Sequence, residues 1–115
     1  MFVRFIFISV IFFYSFSTCL FAQNKIKLGL LVPLTGEFSE IGQSIVKSTL
    51  LAINKIDNPL IEIIPKDTKS DPEVTYNKAK QLKELGVRIV IGPVFNKNLD
   101  RLEDLDDMIF LSLTN

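Results

Sequence analysis

The stretch Lys27–Gly42, KLGLLVPLTGEFSEIG, constrains the fold more than any other part of the chain. It begins inside an apolar run, Ile26–Val32, and turns at Pro33-Leu34-Thr35-Gly36. A helical pattern opens at Ser39. A short apolar run bounded by turn residues reads as a buried strand, and a helix on its exit points to an open α/β sheet. Ligands of such sheets sit outside the carboxyl ends of the strands. The Thr35–Gly42 loop is therefore the first candidate wall of a cleft.

The pattern repeats along the chain. Ser39 reads as an N-cap with Glu40 in the first turn, and Ile41, Ile45, Thr49, Ala52, Ile53 and Ile56 fall at helical spacing. Asp57-Asn58-Pro59 stops that helix, and Leu60–Pro65 reads as the second strand. Asp67–Asp71 is a polar loop, and Asp71-Pro72-Glu73 starts a second helix with cap, proline and acid in order. Ala79, Leu82 and Leu85 form its apolar stripe, and Gly86 suits the left-handed position after its end. Val87–Ile91 is the third strand and Gly92–Asn96 its exit loop. A short acidic helix is expected over Asn98–Asp107, with Leu99, Leu102 and Leu105 spaced by three, and a fourth strand over Met108–Leu113. Strand and helix alternate throughout. Right-handed crossovers then give α/β architecture with a doubly wound parallel sheet.

Composition sorts the N-terminus from the rest. Seven of the ten phenylalanines precede Gln23. Met1–Ala22 has a basic start at Arg4, an apolar core over Phe5–Tyr14 and a more polar exit, so it reads as a secretory signal cut after Ala22. A membrane anchor would need about 20 apolar residues, more than this core has. Lipid attachment at Cys19 is the alternative, but Thr18 and Phe16 stand where a small residue and leucine are wanted. The domains expected are thus a signal peptide, 1–22, and a partial N-terminal lobe, 23–115. The fourth strand has no following helix, so the chain reads as a fragment of a longer protein.

Several functions are disfavoured. Net charge is zero over 115 residues, so nucleic acid is not an expected partner. The chain has no histidine, which removes the commonest general base and metal ligand. Gly29, Gly36 and Gly42 fit neither dinucleotide nor P-loop spacing. No cofactor, metal or catalytic residue is expected. Asp71 is more simply a helix cap than an acid, and Asp100, Glu103, Asp104, Asp106 and Asp107 read as a solvated face.

Three motifs carry a resemblance. P-L-T-G followed by I-G-Q at Pro33–Gln43, D-T-K-S-D-P at Asp67–Pro72 and I-G-P at Ile91–Pro93 stand in the order seen in type I periplasmic binding proteins, the superfamily of leucine-binding proteins. The chain resembles the first lobe of that two-lobed fold. The resemblance implies a ligand edge at Thr35, Gly36, Ile41, Phe95, Asn96, Ser112 and Thr114, and makes Asp67 an organiser of its loop. Amino-acid binders of the superfamily offer a small hydroxyl residue after the third strand, where Asn96 stands behind the bulky Phe95. They often carry an aromatic residue where Ile41 stands.

The stretch IGPVFNKNLDRLEDL followed by LSLTN is similar to the penicillin-binding-protein activators, which share the fold and stimulate a peptidoglycan synthase in the periplasm. That resemblance implies a non-catalytic periplasmic protein whose partner is such a synthase. The competing reading is the solute-binding subunit of an ABC transporter, with an amino-acid-like ligand and a membrane permease as partners.

Overall fold

The computed structural model describes residues 23–114. The expected signal, with Cys19, lies outside the described residues. Among the described residues no helix is long and apolar enough to cross a membrane.

The first strand, β1, spans Ile26–Val32, the expected run. Helix α1 covers Ser39–Ile56, β2 Ile61–Asp67, α2 Pro72–Glu84, β3 Ile89–Ile91 and β4 Ile109–Leu111. All four strands are parallel, in the order β2-β1-β3-β4. The chain steps from β1 to β2, then crosses back over β1 to β3. With right-handed crossovers, α1 and α2 take opposite faces of the sheet. Each face is then buried by a different helix, as a doubly wound sheet requires.

The α2 face holds the core. Leu31, Ala79, Leu82, Val87, Val90, Leu102, Leu105 and Met108 form one buried cluster, with Ile64, Tyr76 and Phe110 packed against it. Gly29 belongs to the same layer, because a Cβ there would lie 2.7 Å from the Leu82 side chain. Asp71 caps α2 by accepting from Val74 N at 2.9 Å, and Pro72 opens the helix, both as expected. At the other end Gly86 takes φ 82°. Val87 N donates to Leu82 O and Gly86 N to Lys83 O, the paired bonds that close a helix over a glycine. Lys27 Nζ donates to the Leu85 carbonyl at 2.7 Å, a cation where the helix dipole is negative.

Helix α1 departs from expectation in two ways. Its N-cap is Phe38, not Ser39, and no side chain caps it. The Ser39 N–H instead reaches Gly36 O, because the turn closes one residue earlier. Its buried stripe is also narrower than the spacing suggested. Ile45, Thr49 and Ile53, on one row, are half-buried, whereas Ile41, Ala52 and Ile56 are exposed. The helix packs on the sheet mainly along β1 and β2. Its first turn is pressed onto the end of β1: a Cβ on Gly42 would fall 1.8 Å from Pro33 O. Asp57 stops the helix in a left-handed conformation, its N–H donating to Ile53 O.

Strand β2 runs to Asp67, two residues beyond the expected end, because pairing with β1 continues to Val32. Pro65 is compatible with this. Ile26 N bonds Leu60 O and Thr68 N bonds Val32 O, so even-numbered residues of β2 bond inward and odd ones face outward. Pro65, which has no N–H to give, falls on the open side of an edge strand.

Strands β3 and β4 are shorter than expected, although Val87 and Met108 just before them are fully or nearly fully buried. The acidic helix expected over Asn98–Asp107 is absent. Two 3-10 turns, Asn96–Asn98 and Leu102–Asp104, stand in its place. Backbone bonds link 95 to 98, 96 to 99, 99 to 102, 102 to 105 and 105 to 108, all three apart. A period of three aligns side chains on a 3-10 turn, not on an α-helix. The spacing of Leu102, Leu105 and Met108 therefore fits these turns, and all three enter the core. Of the acids here, Asp107 binds Lys83 at 2.8 Å and lies 3.6 Å from Arg88. Hydrogen bonding from Lys83 is the main cause holding its carboxyl below the usual range.

Candidate ligand edge

Four loops emerge at the carboxyl end of the sheet: Pro33–Phe38 after β1, Thr68–Asp71 after β2, Gly92–Phe95 after β3 and Ser112–Thr114 after β4. All seven candidate residues lie in these loops or in the turn each one enters. Parallel strands place them on one edge because each strand points the same way.

Asp67, the last residue of β2, fastens the first loop to the second. Its carboxylate accepts from Leu34 N at 2.8 Å, from Thr35 Oγ1 at 2.6 Å and from Lys69 N at 2.9 Å. Partial burial pushes its pKa up, but the hydrogen bonds from Thr35, Leu34 and Lys69 outweigh this and hold it below the ordinary carboxylate value. The organising role implied for Asp67 is thus visible as three bonds. Lys69 and Ser70 take positive φ, 50° and 57°, so that the loop can turn back over the carboxylate. The Thr35 proton is committed to Asp67, so toward a ligand this hydroxyl can only accept. Gly36 has φ 86° and nothing near the place of a Cβ, so its need is for the left-handed turn.

The third loop reaches the first through aromatic rings. Phe95 lies against Phe38 with ring centroids 4.8 Å apart and planes tilted by 59°. Asn96 is exposed at the start of the first 3-10 turn. Ile41 is 44% exposed on α1. The third loop is also held to the fourth: Gly92 N donates to Leu111 O and Leu113 N to Pro93 O. Gly92, at φ 114°, cannot carry a side chain, since a Cβ would come within 2.3 Å of Leu31 O. In the fourth loop Ser112 Oγ donates to Thr114 Oγ1 at 2.9 Å and accepts from Thr114 N. Of the three hydroxyls among the candidate residues, those of Thr35 and Ser112 are therefore already engaged as donors.

Sequence reasoning overlooked Phe38. A signal was present: outside the N-terminal segment only Phe38, Phe95 and Phe110 remain, and two of the three fall in carboxyl-end loops. It also missed Asn98, which is 1% exposed and whose amide nitrogen and oxygen meet no partner in the structure. Among the described residues no cluster of acids, histidine or cysteine is placed to hold a metal ion.

Residues 25–105 match the family described as periplasmic binding protein. The chain belongs to the periplasmic binding protein family. Its fold matches an ABC transporter substrate-binding protein from Sphaerobacter thermophilus, with 23% identity and a TM-score of 0.70 over 76% of this chain. It is also similar to the C-domain of LpoA from Haemophilus influenzae, a regulator of PBP1A, at 26% identity and TM-score 0.59 over 75% of the chain. A solute-binding protein of an ABC transporter from Rhodopseudomonas palustris, in complex with 3,4-dihydroxybenzoic acid, matches at 28% identity and TM-score 0.67 over 71%. The chain spans only 26%, 27% and 24% of these three proteins, about a quarter of each. No curated protein matches it by sequence. Periplasmic binding proteins are a family of binders rather than enzymes, associated with the cell envelope. Both ABC transporter proteins and a regulator of PBP1A stand among the structural relatives.

Proposed function

We propose that this chain is the first lobe of a non-catalytic periplasmic protein of the penicillin-binding-protein activator kind, which regulates peptidoglycan synthesis by binding a synthase. The observation that carries this reading is Phe95 seated on Phe38. A small ligand's carboxylate needs closely placed donors, because a buried charge left unpaired is costly. After β3 this chain offers a ring and an exposed amide, and the hydroxyls of Thr35 and Ser112 donate within the protein. The likeness to the LpoA C-domain supports the same reading. Of the seven edge residues, Phe95 and Ile41 shape the surface. Asn96, Thr114 and the Thr35-Gly36 backbone are the polar groups still open to a partner. Removal of residues 1–22 delivers the protein to the periplasm, with Gln23 as its mature start.

The solute-binding alternative is favoured by one specific observation, the 28% identity to a transporter protein that holds an aromatic acid. Two measurements separate the readings. Pull-down of the full-length protein with periplasmic peptidoglycan synthases should capture a synthase. Calorimetry against the twenty amino acids, benzoate and 3,4-dihydroxybenzoate should show no micromolar ligand. Tight binding of any of these, lost in Asn96→Ala, would restore the transporter reading.

A further inference from the structure

We infer that Asn98 holds an internal water molecule beneath the turn that follows β3. Among the described residues three polar side chains are buried: Thr68, Thr75 and Asn98. The two threonines have protein partners. Thr68 Oγ1 accepts from Ser70 N at 3.3 Å, and Thr75 Oγ1 donates to Asp71 O at 2.7 Å. Asn98 is 1% exposed, and neither its Oδ1 nor its Nδ2 meets a protein group. A buried amide with both halves unmet is costly, because it has lost its bonds to water and gained none in return. Native interiors meet such groups with ordered water where no protein atom serves.

The backbone holds the side chain inward. Asn98 N donates to Phe95 O at 3.0 Å and Leu99 N to Asn96 O at 2.9 Å, which close the turn on both sides. The turn packs on α2, and Arg101, just beyond it, pairs with Glu73 in the first turn of that helix. Asn98 is the buried residue of the turn, whereas Asn96 and Lys97 are exposed.

The chemistry of the amide selects the occupant. A cation would use only its oxygen, and an anion only its NH₂. Either would also bring a charge beside buried side chains that are all neutral. Water donates to the oxygen and accepts from the NH₂ without that cost. Phe95 and Asn96 of the candidate edge belong to the same turn, so the water helps to fix the third loop whatever that edge binds.

The test is a high-resolution crystal structure of the full-length protein and of its Asn98→Leu variant. Wild type should show an ordered water about 2.7–3.2 Å from Asn98 Oδ1 or Nδ2, and the variant should lack it. An amide bonded directly to protein groups, or one with no neighbour at all, overturns the inference. So does a water that keeps its place in Asn98→Leu, since the backbone alone would then hold it. Should the variant fail to fold, wild type supplies a second readout in solution. Magnetisation transfer from a long-lived water to the Asn98 side-chain NH₂ protons is expected, and its absence overturns the site.

Discussion

Thr35 Oγ1 and Asp67 Oδ2 stand 2.6 Å apart, the hydroxyl donating, and this contact joins the ends of two neighbouring strands. Charge-assisted bonds of this kind contribute about 1.5–3 kcal/mol each where they are sheltered. Asp67 lies partly open to solvent, so the lower end applies. Asp67→Ala is expected to lower the stability of the full-length protein by about 2 kcal/mol in urea unfolding. Thr35→Val should cost less, because the amides of Leu34 and Lys69 still reach the carboxylate.

The same carboxylate makes stability depend on pH. Its pKa in the folded protein lies below the ordinary value of 3.8. Its contribution is therefore complete above that value and fades as the pH falls through the lower folded one. Acid unfolding of Asp67→Asn should be flatter than that of wild type below about pH 4. Identical slopes for the two proteins would show that the three bonds do not favour the ionised form.

The ring pair should be measurable without any ligand. A double-mutant cycle of Phe38→Leu and Phe95→Leu is expected to give a coupling of about 0.5–1.5 kcal/mol in thermal or urea unfolding. Strictly additive losses would mean that the rings do not touch in solution.

Gly42 is expected to tolerate no side chain. A methyl group 1.8 Å from Pro33 O must push α1 off the end of β1. Gly42→Ala normally gains helix propensity of about 1 kcal/mol. Here it should instead lose about 3 kcal/mol by overpacking, read as a lowered urea midpoint. At Gly86 nothing lies near the added Cβ, so Gly86→Ala should cost only the strain of positive φ, about 1 kcal/mol.

The outer strand of the sheet offers a solubility test. Ile109 and Leu111 are 59% and 52% exposed on the face opposite Phe110, away from β1 and β2, the strands that α1 mainly covers. Exposed apolar strands at a sheet edge promote association. A 23–115 fragment should self-associate in light scattering, and Ile109→Lys/Leu111→Lys should reduce this.

The strands and helices were legible where local chemistry and burial agree. Ile26–Val32 is apolar because β1 is central, flanked by β2 and β3 and covered by α1 and α2. Asp71-Pro72 fixes the start of α2 by a cap bond that any helix would use. The region after β3 was misread because Leu99, Leu102 and Leu105 suit more than one helical period. Only the backbone bonds three residues apart distinguish them. At the candidate edge, spacing placed the loops, but it could not reveal that Phe38 would meet Phe95, since they stand 57 positions apart along the chain. Nor could it show that Thr35 and Ser112 would give their protons to neighbours. Such commitments depend on how loops from different strands lie side by side.

Pro65 gives this sheet a direction of growth. The outer rim of β2 has a gap in its row of donors, so another strand finds poor purchase there, whereas β4 presents an unbroken rim. Of the described strands, β3 and β4, which come later in the sequence, both lie on the opposite flank of β1. A stray strand is therefore discouraged at the β2 rim and finds its opening at the β4 rim.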